Sequence, residues 1–134
     1  MIGLDTNVLL RMFDENDPEQ RAQAHALVSA QGAGGCYLNP IVISEFAWTL
    51  ARSYKRQRGE IVQRLSWLFE APEFVVAHAE EAARALDRYL SGRADFADYF
   101  LAEINESAGC SRTATFDEDA TRSSDLFFAV PASP

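Results

Sequence analysis

The chain has 134 residues, is 48% hydrophobic and 11% aromatic, and carries a formal net charge of −8. That length and apolar content suffice for a full core and exclude a disordered chain, and no apolar run approaches the span of a membrane helix. The negative charge argues at first against a nucleic-acid partner, and the absence of Cys/His spacing excludes a zinc framework.

In chain order, Met1 to Leu4 reads as a short buried strand, followed by a helix from about Thr6 to Phe13. Asp17-Pro18 marks a helix start, with Asp as cap and Pro at the first helical position, running to about Ala30. After a glycine turn over Gln31–Gly35 comes a second strand, Cys36–Leu38. Asn39-Pro40 opens another helix by the same rule, with Ile43, Phe46, Ala47, Leu50 and Tyr54 as its core face. Glu45 falls off that face, beside Ile41, Trp48 and Arg52. A helix over Glu60–Phe69 ends before Pro72 and a third strand, Phe74–Val76. Ala79 to Leu90 is helical, with positions 79, 82, 83, 86 and 90 inward, and Ser91-Gly92 breaks it. Asp95 to Glu106 is a helix with Ala97, Phe100, Leu101 and Ile104 inward. Ser111–Thr115 and Leu126–Val130 complete five strands, and Pro131–Pro134 is a tail. Cys36 and Cys110 read as two buried thiols, and His25 and His78 as ordinary side chains.

Strands alternating with helices imply an α/β fold with a short, mostly parallel central sheet flanked by helices. Active sites in such sheets form beyond the carboxyl ends of the strands. Four acidic motifs sit at matching places: Leu4-Asp5-Thr6-Asn7, Ser44-Glu45, Asp95-Phe96-Ala97-Asp98 and Thr115-Phe116-Asp117. Carboxylates beside apolar runs are costly to bury alone. A group of them points to a hard divalent cation held by oxygen ligands. Singly, each acid has a plainer role: Asp5 as a helix cap, Asp95 and Asp98 as complements to a helix dipole, Asp117 as part of an acidic turn.

These motifs, in this order and over nearly the whole chain, resemble those of PIN-domain ribonucleases. The opening Met1-Ile2-Gly3-Leu4-Asp5-Thr6-Asn7-Val8-Leu9-Leu10 resembles VapC-type toxins of bacterial type II toxin–antitoxin pairs. The resemblance implies a PIN-like (Rossmannoid) three-layer fold. It implies that Asp5, Glu45, Asp98 and Asp117 form an acidic pocket. Asp5, Asp98 and Asp117 would be ligands to Mg²⁺ or Mn²⁺, and Glu45 would hold or position water. Thr6, Asn7, Asp95 and Thr115 would orient the carboxylates from outside. It further implies hydrolysis of RNA phosphodiesters, a homodimer and a protein antitoxin covering the pocket. Trp48, Trp67 and Phe69 could line a groove for it, though aromatics at helical spacing are more often core. The chain departs from the family pattern at Tyr99-Phe100, bulkier than usual, and at Ala120, where an aromatic is common.

Setting aside Asp5, Glu45, Asp98 and Asp117 leaves 16 acids against 12 bases. Arg52, Lys55, Arg56 and Arg58 cluster with Arg64, as an RNA-backbone patch or a solvated helix end. A haloacid-dehalogenase phosphotransferase needs a second aspartate where Asn7 stands. A receiver-type switch needs a strand-end lysine, and the one lysine, Lys55, is not there. The alternatives that stand are a PIN-fold binding module and an RNA-processing nuclease that is not a toxin. One domain over residues 1–130, a tail over 131–134, no membrane partner and a cytoplasmic location complete the expectation.

Overall fold

A computed structural model describes residues 1–133. Three strands form one parallel ladder: β1 (Ile2–Gly3), β2 (Cys36–Leu38) and β3 (Phe74–Val76), in that order. Its register sets Ile2 against Cys36 and Cys36 against Phe74. A second parallel ladder pairs β4 (Thr113–Thr115) with β5 (Phe127–Ala129), Thr113 facing Phe127. The five strands and their parallel sense are those the sequence indicates, hydrogen-bonded as three and two.

Among the described residues seven helices connect them: α1 (Thr6–Met12), α2 (Pro18–Gln31), α3 (Pro40–Arg52), α4 (Arg58–Glu70), α5 (Ala79–Ser91), α6 (Phe96–Ser107) and α7 (Glu118–Ser123). Their starts follow from capping chemistry. Asp17 accepts a hydrogen bond from the Gln20 N–H at 3.0 Å, and Asn39 accepts one from Val42 at 2.9 Å, each with proline at the first helical position. Gly32, at φ 74°, ends α2 in a backbone conformation that L side chains rarely adopt.

The core is apolar and aromatic. Leu9, Leu38, Ile43, Phe46, Leu50, Ile61, Leu65 and Leu68 are fully buried. Phe96 centres an aromatic group, its ring 5.4 Å from Phe100, 6.1 Å from Tyr89 and 6.3 Å from Phe69. One charge is interred with it. Glu103 on α6 is 1% exposed and accepts from Arg84 Nε at 2.9 Å and Arg88 Nε at 2.7 Å, both on α5. The fork locks α5 to α6 at one side of the core.

That fork explains where the expected helix faces are rotated. On α5 the buried residues are Ala82, Ala85 and Tyr89, while Leu90 is exposed. On α6 they are Phe96, Tyr99, Phe100, Ala102 and Glu103, while Leu101 is exposed. An acid satisfied by two arginines sits inward where apolar spacing alone would place leucine. Tyr54 lies beyond the end of α3 and is exposed, so it is not part of that helix's face. Cys110 is exposed, following a tight turn at Gly109, and only Cys36 is a buried thiol. Helix α7 has no counterpart in the apolar spacing. The expected C-terminal tail reaches Pro134, which lies outside the described residues. Among the described residues no helix is long and apolar enough to cross a membrane.

Candidate active site

The strands deliver the acids to one edge. Asp5 lies two residues past β1 and caps α1, accepting from the Thr6 N–H at 2.8 Å. Asp117 lies two residues past β4 and caps α7, accepting from the Ala120 N–H at 2.9 Å. Helix α6 runs back toward the start of β4, so its N-terminus, with Asp95 as cap and Asp98 in the first turn, returns to the carboxyl edge. The plain capping roles of Asp5, Asp95 and Asp117 are therefore real. They fix the carboxylates without excluding other work, since a capping carboxylate has a second oxygen and spare lone pairs.

Thr6 connects two of the motifs. It is buried, and its hydroxyl donates to Glu45 Oε2 at 2.6 Å. Glu45 itself is exposed on α3, beside exposed Ile41 and Trp48. Further along the same face, Arg52 donates to Asp95 Oδ2 at 2.8 Å. Its positive charge is stabilised by Asp95 first, and also by Asp98 and Asp117. Asp98 accepts through Oδ2 from the Asp95 N–H at 3.3 Å. Burial is the main force holding the Asp98 carboxyl above the usual aspartate range; the negative charges of Asp95 and Asp117 push the same way, against the Asp95 N–H and Arg52. The acids thus fall into two groups, Asp5 and Glu45 about Thr6, and Asp95, Asp98 and Asp117 about Arg52.

Burial cost does not account for all four carboxylates. Asp5, Glu45 and Asp117 are exposed, and Asp98 alone is substantially desolvated. Among the described residues no three His, Cys, Asp or Glu side chains converge closely enough to hold an ion by themselves. The donor set is all oxygen, which suits a hard divalent cation. The net repulsion on Asp98, offset by one guanidinium, is of the sign that a cation relieves. Asn7 is exposed on α1, and the Thr115 hydroxyl accepts from the Asp117 N–H at 3.0 Å, steadying the turn that carries Asp117.

A tyrosine ties the two acidic segments of the second group together. The Tyr99 hydroxyl, on a side chain only 1% exposed, accepts from the N–H groups of Arg93 at 3.2 Å and Ala94 at 3.3 Å. It donates to Ser123 Oγ at 2.7 Å, and Ser123 in turn donates to the Ala120 carbonyl at 3.3 Å. The loop leading to Asp95 is thereby stapled to the helix that Asp117 caps. Gly92 makes room for the staple: a Cβ there would overlap the Tyr99 hydroxyl and stand 2.7 Å from the Arg88 carbonyl. The sequence holds one signal for this. A tyrosine among core residues needs a partner for its hydroxyl.

The basic cluster is divided. Arg52 faces the acids, and Arg56 pairs with Glu60 at 3.7 Å. Lys55 is exposed, at φ 55°. Arg58 turns inward, donating to the carbonyls of Tyr89 at 2.7 Å and Ala94 at 3.0 Å with its guanidinium 4.0 Å from the Tyr89 ring centroid. Arg58 is a brace for the segment before Asp95. Trp67 packs edge-on against Phe13 and Phe74, and Phe69 lies tilted against Phe96, while Trp48, half exposed, joins no aromatic pair among the described residues. Phe116, between Thr115 and Asp117, is 87% exposed.

A model of the PIN domain family matches residues 2–125. No curated protein matches the chain.

Proposed function

From a chain that belongs to the PIN-domain family, whose members are generally nucleases, we propose a divalent-metal-dependent endoribonuclease acting as the toxin of a toxin–antitoxin pair. The observation that carries the reading is Asp98. It is a desolvated carboxyl facing Asp95 and Asp117 at the strand edge that also presents Asp5 and Glu45. Asp5, Asp98 and Asp117, directly or through water, would hold Mg²⁺ or Mn²⁺, which when bound supplies Lewis-acid stabilisation of phosphate charge and lowers the pKa of water.

The chain's own residues do the positioning. Glu45, steadied by the Thr6 hydroxyl, is placed to accept a proton from water or to orient it. Asp95 and Tyr99 hold the first turn of α6 in place. Phe116, exposed beside Asp117, offers a face on which an unstacked base rests.

A protein antitoxin and a second copy of the chain are the proposed partners. Support lies in an apolar groove of about 320 Å³ between α3 and α6, lined by Pro40, Ile41, Phe100, Leu101 and Ile104 with Glu45 at its rim. Ile41 is 71% exposed and Trp48 50% exposed on the adjoining face. An antitoxin seated there reaches the acids, and an arginine from it would compete with Arg52 for them. A cytoplasmic location follows from this role.

The test is cleavage of labelled single-stranded and total cellular RNA by wild type and Asp98→Asn, with Mg²⁺ and with EDTA. Cleavage by wild type alone, abolished by EDTA, is expected. Binding without cleavage under both conditions puts the PIN-fold binding module in its place.

A further inference from the structure

A cavity of about 430 Å³ lies where the end of α5, the α5–α6 loop and α7 meet, lined by Arg88, Ser91, Gly92, Arg93, Arg122 and Ser123. Three guanidiniums and no carboxylate line it, on a chain whose net charge is −8. A neighbouring cavity of about 680 Å³ shares Arg88, Arg122 and Ser123 and adds Ser111 and Ser124, with Glu106 and Asp125 also in its wall.

The cations are placed rather than scattered. Arg88 is held from behind, with Nε on buried Glu103 at 2.7 Å and NH1 on Ser124 Oγ at 3.1 Å. Glu103 is shared between Arg84 and Arg88, so it neutralises Arg88 only in part. Among the described residues Arg122 pairs only with Glu118, at 3.5 Å between side chains 66% and 80% exposed, a contact weak enough to exchange for a ligand. Arg93 is exposed, and its guanidinium makes no hydrogen bond among the described residues.

The cavity also adjoins the acids. Arg93 precedes Asp95 by two residues. Arg122 lies five residues beyond Asp117 on α7, about 7.5 Å along the helix axis. The Tyr99 staple joins the two walls. Guanidinium forks match the oxygens of phosphate, and serine hydroxyls add donors.

We propose that this cleft binds the phosphodiester backbone of single-stranded RNA beside the bond cut at Asp98 and Asp117. It rests on the nuclease reading for its substrate. The cleft, rather than the Arg52–Arg58 segment, then supplies the main backbone contacts of an otherwise acidic protein.

The experiment is fluorescence anisotropy of a short labelled single-stranded RNA of mixed sequence with the full chain in EDTA, over a salt series. Arg93→Ala/Arg122→Ala is compared with wild type and with Arg52→Ala/Arg56→Ala. The cleft variant is expected to bind at least tenfold more weakly. Its log K against log salt should be shallower by about 1.4, or 0.7 per lost phosphate contact. Arg93→Lys/Arg122→Lys should keep the wild-type slope. Unchanged affinity and slope in the cleft variant, a loss confined to the Arg52/Arg56 variant, or no RNA binding by wild type would each overturn the proposal. So would equal competition by adenosine monophosphate, which would make the cleft a small-phosphate site. The two readings fail separately. Wild type that cuts no RNA, with binding still lost in the cleft variant, sinks the nuclease and leaves the cleft. Wild type that cuts, with the cleft variant binding normally, sinks the cleft alone.

Discussion

Replacing Tyr99 by Phe removes one oxygen and keeps the ring, so no cavity forms. The loss is the staple. The Ala94 N–H is buried and the Arg93 N–H partly so, and both lose their acceptor. An unsatisfied buried donor costs about 1–3 kcal/mol, so the pair amounts to about 2–4 kcal/mol. For a chain of this length about 3–5 °C of melting temperature accompanies each kcal/mol, giving a drop of about 6–20 °C. Ser123→Ala removes the other end and leaves Tyr99 its two donors, so it should cost less, about 1 kcal/mol. The double variant should cost less than the sum, because both singles break the same 2.7 Å bond. Thermal melts of the four proteins supply the cycle. Mn²⁺ titration of folded Tyr99→Phe should also show weaker binding, since the segment carrying Asp95 and Asp98 is no longer tied to the helix that Asp117 caps. A melting temperature within about 2 °C of wild type, with additive singles and unchanged Mn²⁺ affinity, refutes the staple.

Asp98→Asn should stabilise the metal-free protein at neutral pH, because an amide keeps the acceptor for the Asp95 N–H and sheds the repulsion. The fold raises the Asp98 pKa, so its favourable contribution is full below the unfolded aspartate value and is lost as pH rises through the folded value. The advantage of the amide should therefore grow with pH across the carboxylate range in EDTA melts; a variant less stable than wild type at neutral pH contradicts this. Glu103→Gln should destabilise by about 1–3 kcal/mol in urea melts, below the usual cost of breaking a buried pair because Arg84 and Arg88 are 50% and 41% exposed. A neutral effect would show that packing alone joins α5 to α6. Phe116→Ala should leave melting unchanged, since the ring touches little. It should weaken RNA binding by about 1–3 kcal/mol, the worth of one stacked base, in the same anisotropy assay. Unchanged RNA affinity would remove Phe116 from the interface.

The caps were the most legible part of the chain. Asp17-Pro18 and Asn39-Pro40 start helices for local reasons, and the structure starts them there. Short strands beside glycine turns were similarly plain. Faces were harder wherever charge is buried. Apolar spacing on α6 cannot announce Glu103, because its partners Arg84 and Arg88 lie on another helix. Helix α7 is six residues, mostly polar, too short for periodicity, and only its cap at Asp117 marks it. Of the site, the order of the acids was visible, and so was the position of Arg52 on the face of Glu45. That Arg52 turns onto Asp95 instead of outward depends on how α3 meets α6. The inward turn of Arg58 depends instead on how the start of α4 meets the end of α5.

The central claim is that these carboxylates take up a divalent cation. Calorimetric titration of Mn²⁺ into the antitoxin-free protein, beside Asp98→Asn, tests it most directly. Saturable binding by wild type, lost or much weakened in the variant, is the predicted result. No heat of binding at millimolar Mn²⁺, or equal binding by both proteins, would contradict it.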